Sequence, residues 1–169
     1  WFPLHLLFLR NLGDECCGGG ISHPVGAGYA VLLLFAVLVT DTFCYFTGSR
    51  YGKHKLAPVI SPNKTIEGAI GGTLMCLIFS MAIGLAIGLP WYHALILGFL
   101  IAIFAQIGDL CESMIKRDAG VKDSSNVLPG HGGFLDRTDS YVMTIPVVYY
   151  YLQYFVHTNI LLDLFKGLF

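Results

Sequence analysis

At 169 residues the chain has the length of a single domain. Apolar residues make up 55% of it, charged residues 12%, and mean hydropathy is +0.67; these values exclude an ordinary soluble domain and point to a polytopic membrane protein. The net charge of −1 supplies no global field for nucleic acid, so a charged ligand must be bound locally.

In chain order, Trp1 to Leu9 (WFPLHLLFL) is apolar yet too short to cross a bilayer alone. With no Met at its head, residues 1–24 read as the end of a truncated span followed by a Gly-rich connector from Arg10 to Pro24. Residues 25–169 read as one transmembrane domain. Val25 to Thr47 is the first complete span, with Asp41 near its C-terminal end, and Gly48 to Glu67 is a polar loop. Gly68 to Leu89 is the second span; Gly68, Gly72 and Gly84 in it allow close helix contact. Pro90-Trp91-Tyr92-His93 reads as a tight turn whose aromatics suit headgroup level. Ala94 to about Ile107 is the third span, its helix continuing through Asp109 to Arg117. After a charged loop, Tyr141 to about Val156 forms the fourth, with Pro146 as a candidate kink. The expected fold is an all-α, polytopic transmembrane helical bundle with polar cytoplasmic loops, its spans at about 25–47, 68–89, 94–117 and 139–158.

Charge placement sets the topology. Arg50, Lys53, Lys55 and Lys64 lie in the loop before the second span, and Lys116, Arg117, Lys122 and Arg137 follow the third. Two spans separate these loops, so eight of the ten Lys and Arg residues share one face, which the positive-inside rule makes the cytoplasm. Of five cysteines, Cys44, Cys76 and Cys111 fall in or beside spans as apolar thiols; Cys16 and Cys17 are adjacent, and no CxxC pair exists. Neither a zinc site nor a disulfide framework is supported.

The run from Asp109 to Asp139 holds ten of the chain's 21 Asp, Glu, Lys and Arg residues, whereas none occurs from Gly68 to Gly108 or from Ser140 to Leu162. Asp109, Glu112, Ser113 and Lys116 fall on one helical face, an arrangement suited to a metal–phosphate complex or to a solvated helix end. Gly130, Gly132 and Gly133 around His131 let backbone N–H groups converge on an anion. Asp136 and Asp139 then enter the fourth span, where carboxylates are costly unless a cation neutralises them. Ser61-Pro62 reads as a helix start, with Ser61 as N-cap and Lys64 in the first turn, a ready phosphate site. His5, His23, His54, His93 and His157 show no ligand spacing and read as interfacial or surface residues.

These residues match a known pattern. Ser113-x-x-Lys116-Arg117, Lys122-Asp123, Leu128-Pro129-Gly130-His131-Gly132-Gly133 and Asp136-Arg137-Thr138-Asp139 together resemble the signature of the phosphatidate cytidylyltransferase (CDP-diacylglycerol synthase) family. Upstream, Asp41, then Gly52-Lys53-His54-Lys55-Leu56-Ala57-Pro58, Ser61-Pro62-x-Lys64-Thr65 and Gly71-Gly72 are similar to its bacterial members. The likeness runs roughly from Asp41 to Ser140. It implies that CTP and phosphatidate react to give CDP-diacylglycerol and pyrophosphate, with residues 25–169 as the catalytic domain. It further implies Mg²⁺ on Asp109 and Asp136, with a second cation as an option. Catalytic roles fall to Lys116, Arg117, Lys122, Asp123, His131, Arg137 and Asp139. Substrate contacts fall to Ser61, Lys64, Ser113, Gly130, Gly132, Gly133 and Asp41. The implied setting is a bacterial inner membrane with the site facing the cytoplasm, the lipid bilayer as partner, no nucleic acid, and a homodimer as the candidate assembly. A CTP-dependent lipid-alcohol kinase and an ion-coupled transporter are the rival readings.

Overall fold

The computed structural model describes residues 2–12, 25–58, 60–121 and 135–157, with backbone alone at 2, 3, 25, 135–137 and 157. Among the described residues five helices carry the fold: α1 (Phe2–Asn11), α2 (Val25–Tyr51), α3 (Ile66–Ala86), α4 (Trp91–Asp118) and α5 (Leu135–Tyr151). A short antiparallel hairpin, β1 (Lys55–Ala57) and β2 (Ser61–Thr65), joins α2 to α3, and a π-helical stretch, Leu152–His157, continues α5. The protein is an all-α membrane bundle in which α2, α3 and α4 are long and apolar enough to cross a membrane. At 1.5 Å per residue, the 21 residues of α3 rise about 32 Å, close to the ~30 Å hydrocarbon core. The 28 residues of α4 rise about 42 Å, so its charged last turns project past the bilayer. α5 is 17 residues long before the π-helical stretch.

α3 shows why the sequence packs as it does. Gly68, Gly72, Cys76, Ser80 and Gly84 recur every fourth residue and are buried, while Ile70, Leu74 and Ile78 are more than half exposed. Large apolar side chains face outward and small or weakly polar ones face neighbours, the inverse of a soluble helix, because lipid solvates aliphatic groups as well as a protein core does. A Cβ on Gly72 would collide with the Cys44 thiol and approach the Thr40 carbonyl, so α2 and α3 meet almost backbone to backbone there. α3 also packs on α4, α4 on α5, and α1 on both α2 and α5. The core runs through Leu32, Leu33, Val37, Leu97, Ile101, Ile145, Val148 and Leu152, all buried.

Helix ends fall where local chemistry demands. After α3, Gly88 (φ 81°) lets the Leu89 and Gly88 N–H groups donate to the Gly84 and Leu85 carbonyls, closing the orphan acceptors of the last turn. Gly120 (φ 69°) does the same for α4, the Val121 and Gly120 N–H groups donating to the Lys116 and Arg117 carbonyls. Two expectations are corrected. The turn between the second and third spans is Ile87 to Pro90, and Trp91-Tyr92-His93 already belong to the first turn of α4. Ser61 is not an N-cap. Residues Ser61–Thr65 pair with β1, and Thr65 caps α3 by accepting the Gly68 N–H at 3.2 Å. Pro62 fits a short two-stranded edge as readily as a first helical turn, since its fixed φ suits both.

Candidate functional site

The two polar stretches come together at one end of the bundle. α3 and α4 run in opposite directions through the short turn at Gly88, so the hairpin before α3 and the charged end of α4 share a side. Contacts fix that meeting. Lys64 at the end of β2 pairs with Asp109 of α4, Nζ to Oδ2 at 2.7 Å. Eight residues further on, the Arg117 Nε–H donates to the Ile60 carbonyl in the hairpin at 3.3 Å.

The hairpin itself is held by Glu67. Its carboxylate accepts the backbone N–H of Lys53 at 3.1 Å and of His54 at 3.2 Å, and it lies 2.7 Å from the His54 ring Nδ1. Thr65 completes the joint: its hydroxyl would lie only 2.8 Å from a Cβ on Gly48 or Gly52 and 3.0 Å from one on Gly68. The close approach of β2, α2 and α3 thus depends on three residues without side chains.

Between the hairpin, α2 and α4 lies a cavity of about 580 Å³, lined on its polar side by Asp41, Ser61, Asn63, Lys64, Thr65, Gln106 and Asp109. That volume falls within the range of small-molecule sites. Asp41, on α2, lies within electrostatic reach of Asp109, Asp139 and the Lys64 ammonium. Asp139 is brought near by Gly108, where a Cβ would lie 2.7 Å from the Asp139 carbonyl oxygen, so α4 and α5 touch directly beside Asp109.

The residues singled out from sequence separate into three groups. Asp41, Ser61, Lys64 and Asp109 line one cavity, with Asp139 close behind. Lys64 reaches it from a strand end rather than a helix N-terminus, so the anion site expected from a helix start at Ser61 does not form there. Ser113, Lys116 and Arg117 lie further along α4, outside the described lining: Lys116 pairs with buried Glu112 at 3.4 Å, and Arg117 holds the hairpin. The single face expected for Asp109, Glu112, Ser113 and Lys116 is therefore shared between the cavity and an internal ion pair. Lys122, Asp123, Gly130, His131, Gly132 and Gly133 lie outside the described residues. Asp136 and Arg137 stand in the first turn of α5, and their side chains lie outside the description.

Reading residues one by one missed Gln106, Lys55 and Asn63 in the lining. Gln106 did carry a signal: it is the one polar side chain between Ala94 and Gly108, set one turn before Asp109. His5 and His93, expected at interfaces or on the surface, are buried, against Tyr150 at 3.5 Å and Tyr151 at 2.8 Å respectively. Cys76 is buried as expected, whereas Cys44 lines the cavity.

Among the described residues no group of three His, Cys, Asp or Glu side chains is disposed to hold a metal ion. Mg²⁺ needs less than that, since one or two protein carboxylates suffice when water and phosphate complete its octahedron. Asp109, one of the two expected ligands, lines the cavity with the hard carboxylate oxygens that this cation takes, while the side chain of the other, Asp136, lies outside the description.

The cytidylyltransferase family's sequence pattern matches residues 20–155, which include every element that builds the cavity. A Bacillus subtilis protein named phosphatidate cytidylyltransferase is 42% identical over 132 residues, 77% of this chain and 49% of its own length. Proteins of the same name from Staphylococcus haemolyticus and Staphylococcus saprophyticus are 47% and 46% identical over 125 residues, covering 73% of this chain and 48% of theirs. The chain spans about half the length of the curated relatives it matches. With the match running from the connector before α2 into the π-helical stretch after α5, this chain belongs to the cytidylyltransferase family.

Proposed function

We propose that the protein transfers the cytidylyl group of CTP to phosphatidate, giving CDP-diacylglycerol and pyrophosphate. The observation that carries this reading is the Lys64–Asp109 pair inside a cavity at the charged end of the bundle: a cation and a carboxylate from separate stretches, placed where a membrane lipid and a water-soluble nucleotide can meet. Family membership supplies the reaction class.

The chemistry asks little of a general base. A phosphate-monoester oxygen of phosphatidate, already ionised near neutral pH, attacks the α-phosphorus of CTP. A new P–O–P bond forms, the bond between α-phosphorus and the bridging oxygen breaks, and pyrophosphate leaves with that electron pair. The obstacle is repulsion between two anions, so the protein's work is positioning and charge neutralisation. Lys64 is placed to receive a phosphate oxygen when Asp109 releases it. Asp109 and Asp136 would hold Mg²⁺, which when bound lowers the negative charge on the phosphates. Lys116, Arg117, Lys122 and Arg137, with the backbone at Gly130, Gly132 and Gly133, are assigned to the phosphates of both substrates. Ser61 and Ser113 are assigned polar contacts; Asp123, His131, Asp139 and Asp41 are assigned to orienting these groups. The positive-inside rule and bacterial relatives support a bacterial inner membrane with the cavity open to the cytoplasm.

The test is turnover by purified protein in mixed micelles of phosphatidate and diacylglycerol, with labelled CTP and titrated Mg²⁺. Mg²⁺-dependent formation of labelled CDP-diacylglycerol is expected. Release of CDP with a phosphorylated lipid alcohol would replace this reading with the kinase.

A further inference from the structure

Gln106 sits in the cavity with its side-chain amide held in one orientation. The Thr73 hydroxyl donates to the Ala69 carbonyl at 2.8 Å, so toward Gln106 it can only accept. The Gln106 Nε2 donates to that hydroxyl at 3.1 Å and to the Ala69 carbonyl at 3.4 Å. Both partners are acceptors, so nitrogen and not oxygen must face α3. The two acceptors lie only 2.8 Å from each other, so a single N–H is shared between them, and the carbonyl oxygen, which α3 does not engage, is an acceptor one helical turn from Asp109 in the cavity lining.

Among the proposed reactants, donors are few. The ester groups of phosphatidate and ionised phosphates accept hydrogen bonds; the nucleoside alone donates, through the exocyclic amine of cytosine and through the ribose hydroxyls. We propose that the Gln106 carbonyl oxygen accepts a hydrogen bond from the cytosine amine and thereby selects a cytosine nucleotide over a uracil one. Uracil carries a carbonyl where cytosine carries its amine, so it would set two acceptors against each other in a partly desolvated site and leave both unsatisfied. Sites built around a substrate N–H reject analogues lacking it far more strongly than apolar pockets reject a change of size. This assignment rests on the CTP reading above.

The experiment compares kcat/KM for CTP, UTP and 2′-deoxy-CTP in the unaltered protein, Gln106→Met and Thr73→Val. Gln106→Met should lower the CTP-to-UTP preference by about tenfold or more, as expected for losing one buried hydrogen bond. Thr73→Val keeps the side-chain shape but removes the acceptor that orients the amide, so it should shift the preference in the same direction. It also carries the test if Gln106→Met does not fold. Neither change should alter the preference for CTP over 2′-deoxy-CTP. An unchanged CTP-to-UTP ratio in the folded variants, or a change confined to the deoxy comparison, overturns the assignment. An unaltered protein that turns over no CTP would overturn the cytidylyl-transfer reading itself and this assignment with it.

Discussion

Lys64 and Asp109 show how little the site owes to one local motif. They stand 45 positions apart in sequence yet meet at 2.7 Å because β2 ends where α4 leaves the membrane. Removing the Lys64 ammonium takes one positive charge from the place where the phosphates of both substrates must be brought together. Lys64→Met should therefore reduce kcat/KM by about a hundredfold or more, in the range found on deleting a charge-stabilising group, with Lys64→Arg retaining part. Steady-state kinetics at saturating phosphatidate checks this. Asp136→Asn tests the metal assignment. It should abolish turnover while the variant extracts and elutes like the unaltered protein, and an active variant in a metal-dependent assay would remove Asp136 from the metal site.

At the scale of elements, close approach at small residues sets where functional side chains end up. Leucine at position 72 has no room beside Cys44, so Gly72→Leu should push α2 from α3 and lower stability by about 1–3 kcal/mol. Loss of the α3 cap in Thr65→Val should cost about 1 kcal/mol. Thermal melting in detergent reads both effects. The three long apolar helices, α2, α3 and α4, were legible in sequence because an unbroken apolar run admits few structures in lipid. The small-residue stripe of α3 was legible for the same reason, Gly68, Gly72 and Gly84 pointing to close contact. The hairpin was not. Ser61-Pro62 satisfies the rules for a helix start, and what overrides them is tertiary: pairing with Lys55–Ala57 and the hold of Glu67 on the backbone at Lys53 and His54. Gln106 escaped notice because a lone amide in a span acquires meaning only from the Thr73 and Ala69 acceptors of another helix.

For the whole molecule, polar and apolar residues are sorted along the bundle axis. One end carries the hairpin, the end of α4 and the start of α5; the other carries Gly88, Trp91 and the Tyr149–Tyr151 aromatics. That polarity predicts sidedness in the membrane: single cysteines at Lys55 and Asp118 should react with an impermeant thiol reagent from the cytoplasmic face, and one at Gly88 from the opposite face. Labelling of all three from the same side would break the antiparallel arrangement of α3 and α4. Cytidylyl transfer is distinguished by which phosphorus of the nucleotide becomes bonded to the lipid. CTP carrying distinct labels at its α- and γ-phosphates, incubated with phosphatidate, diacylglycerol and the protein, decides it in one experiment. Cytidylyl transfer predicts that the α-label enters the lipid fraction while the γ-label leaves as pyrophosphate in equal amount. Appearance of the γ-label in lipid, with the α-label remaining in soluble CDP, would contradict it.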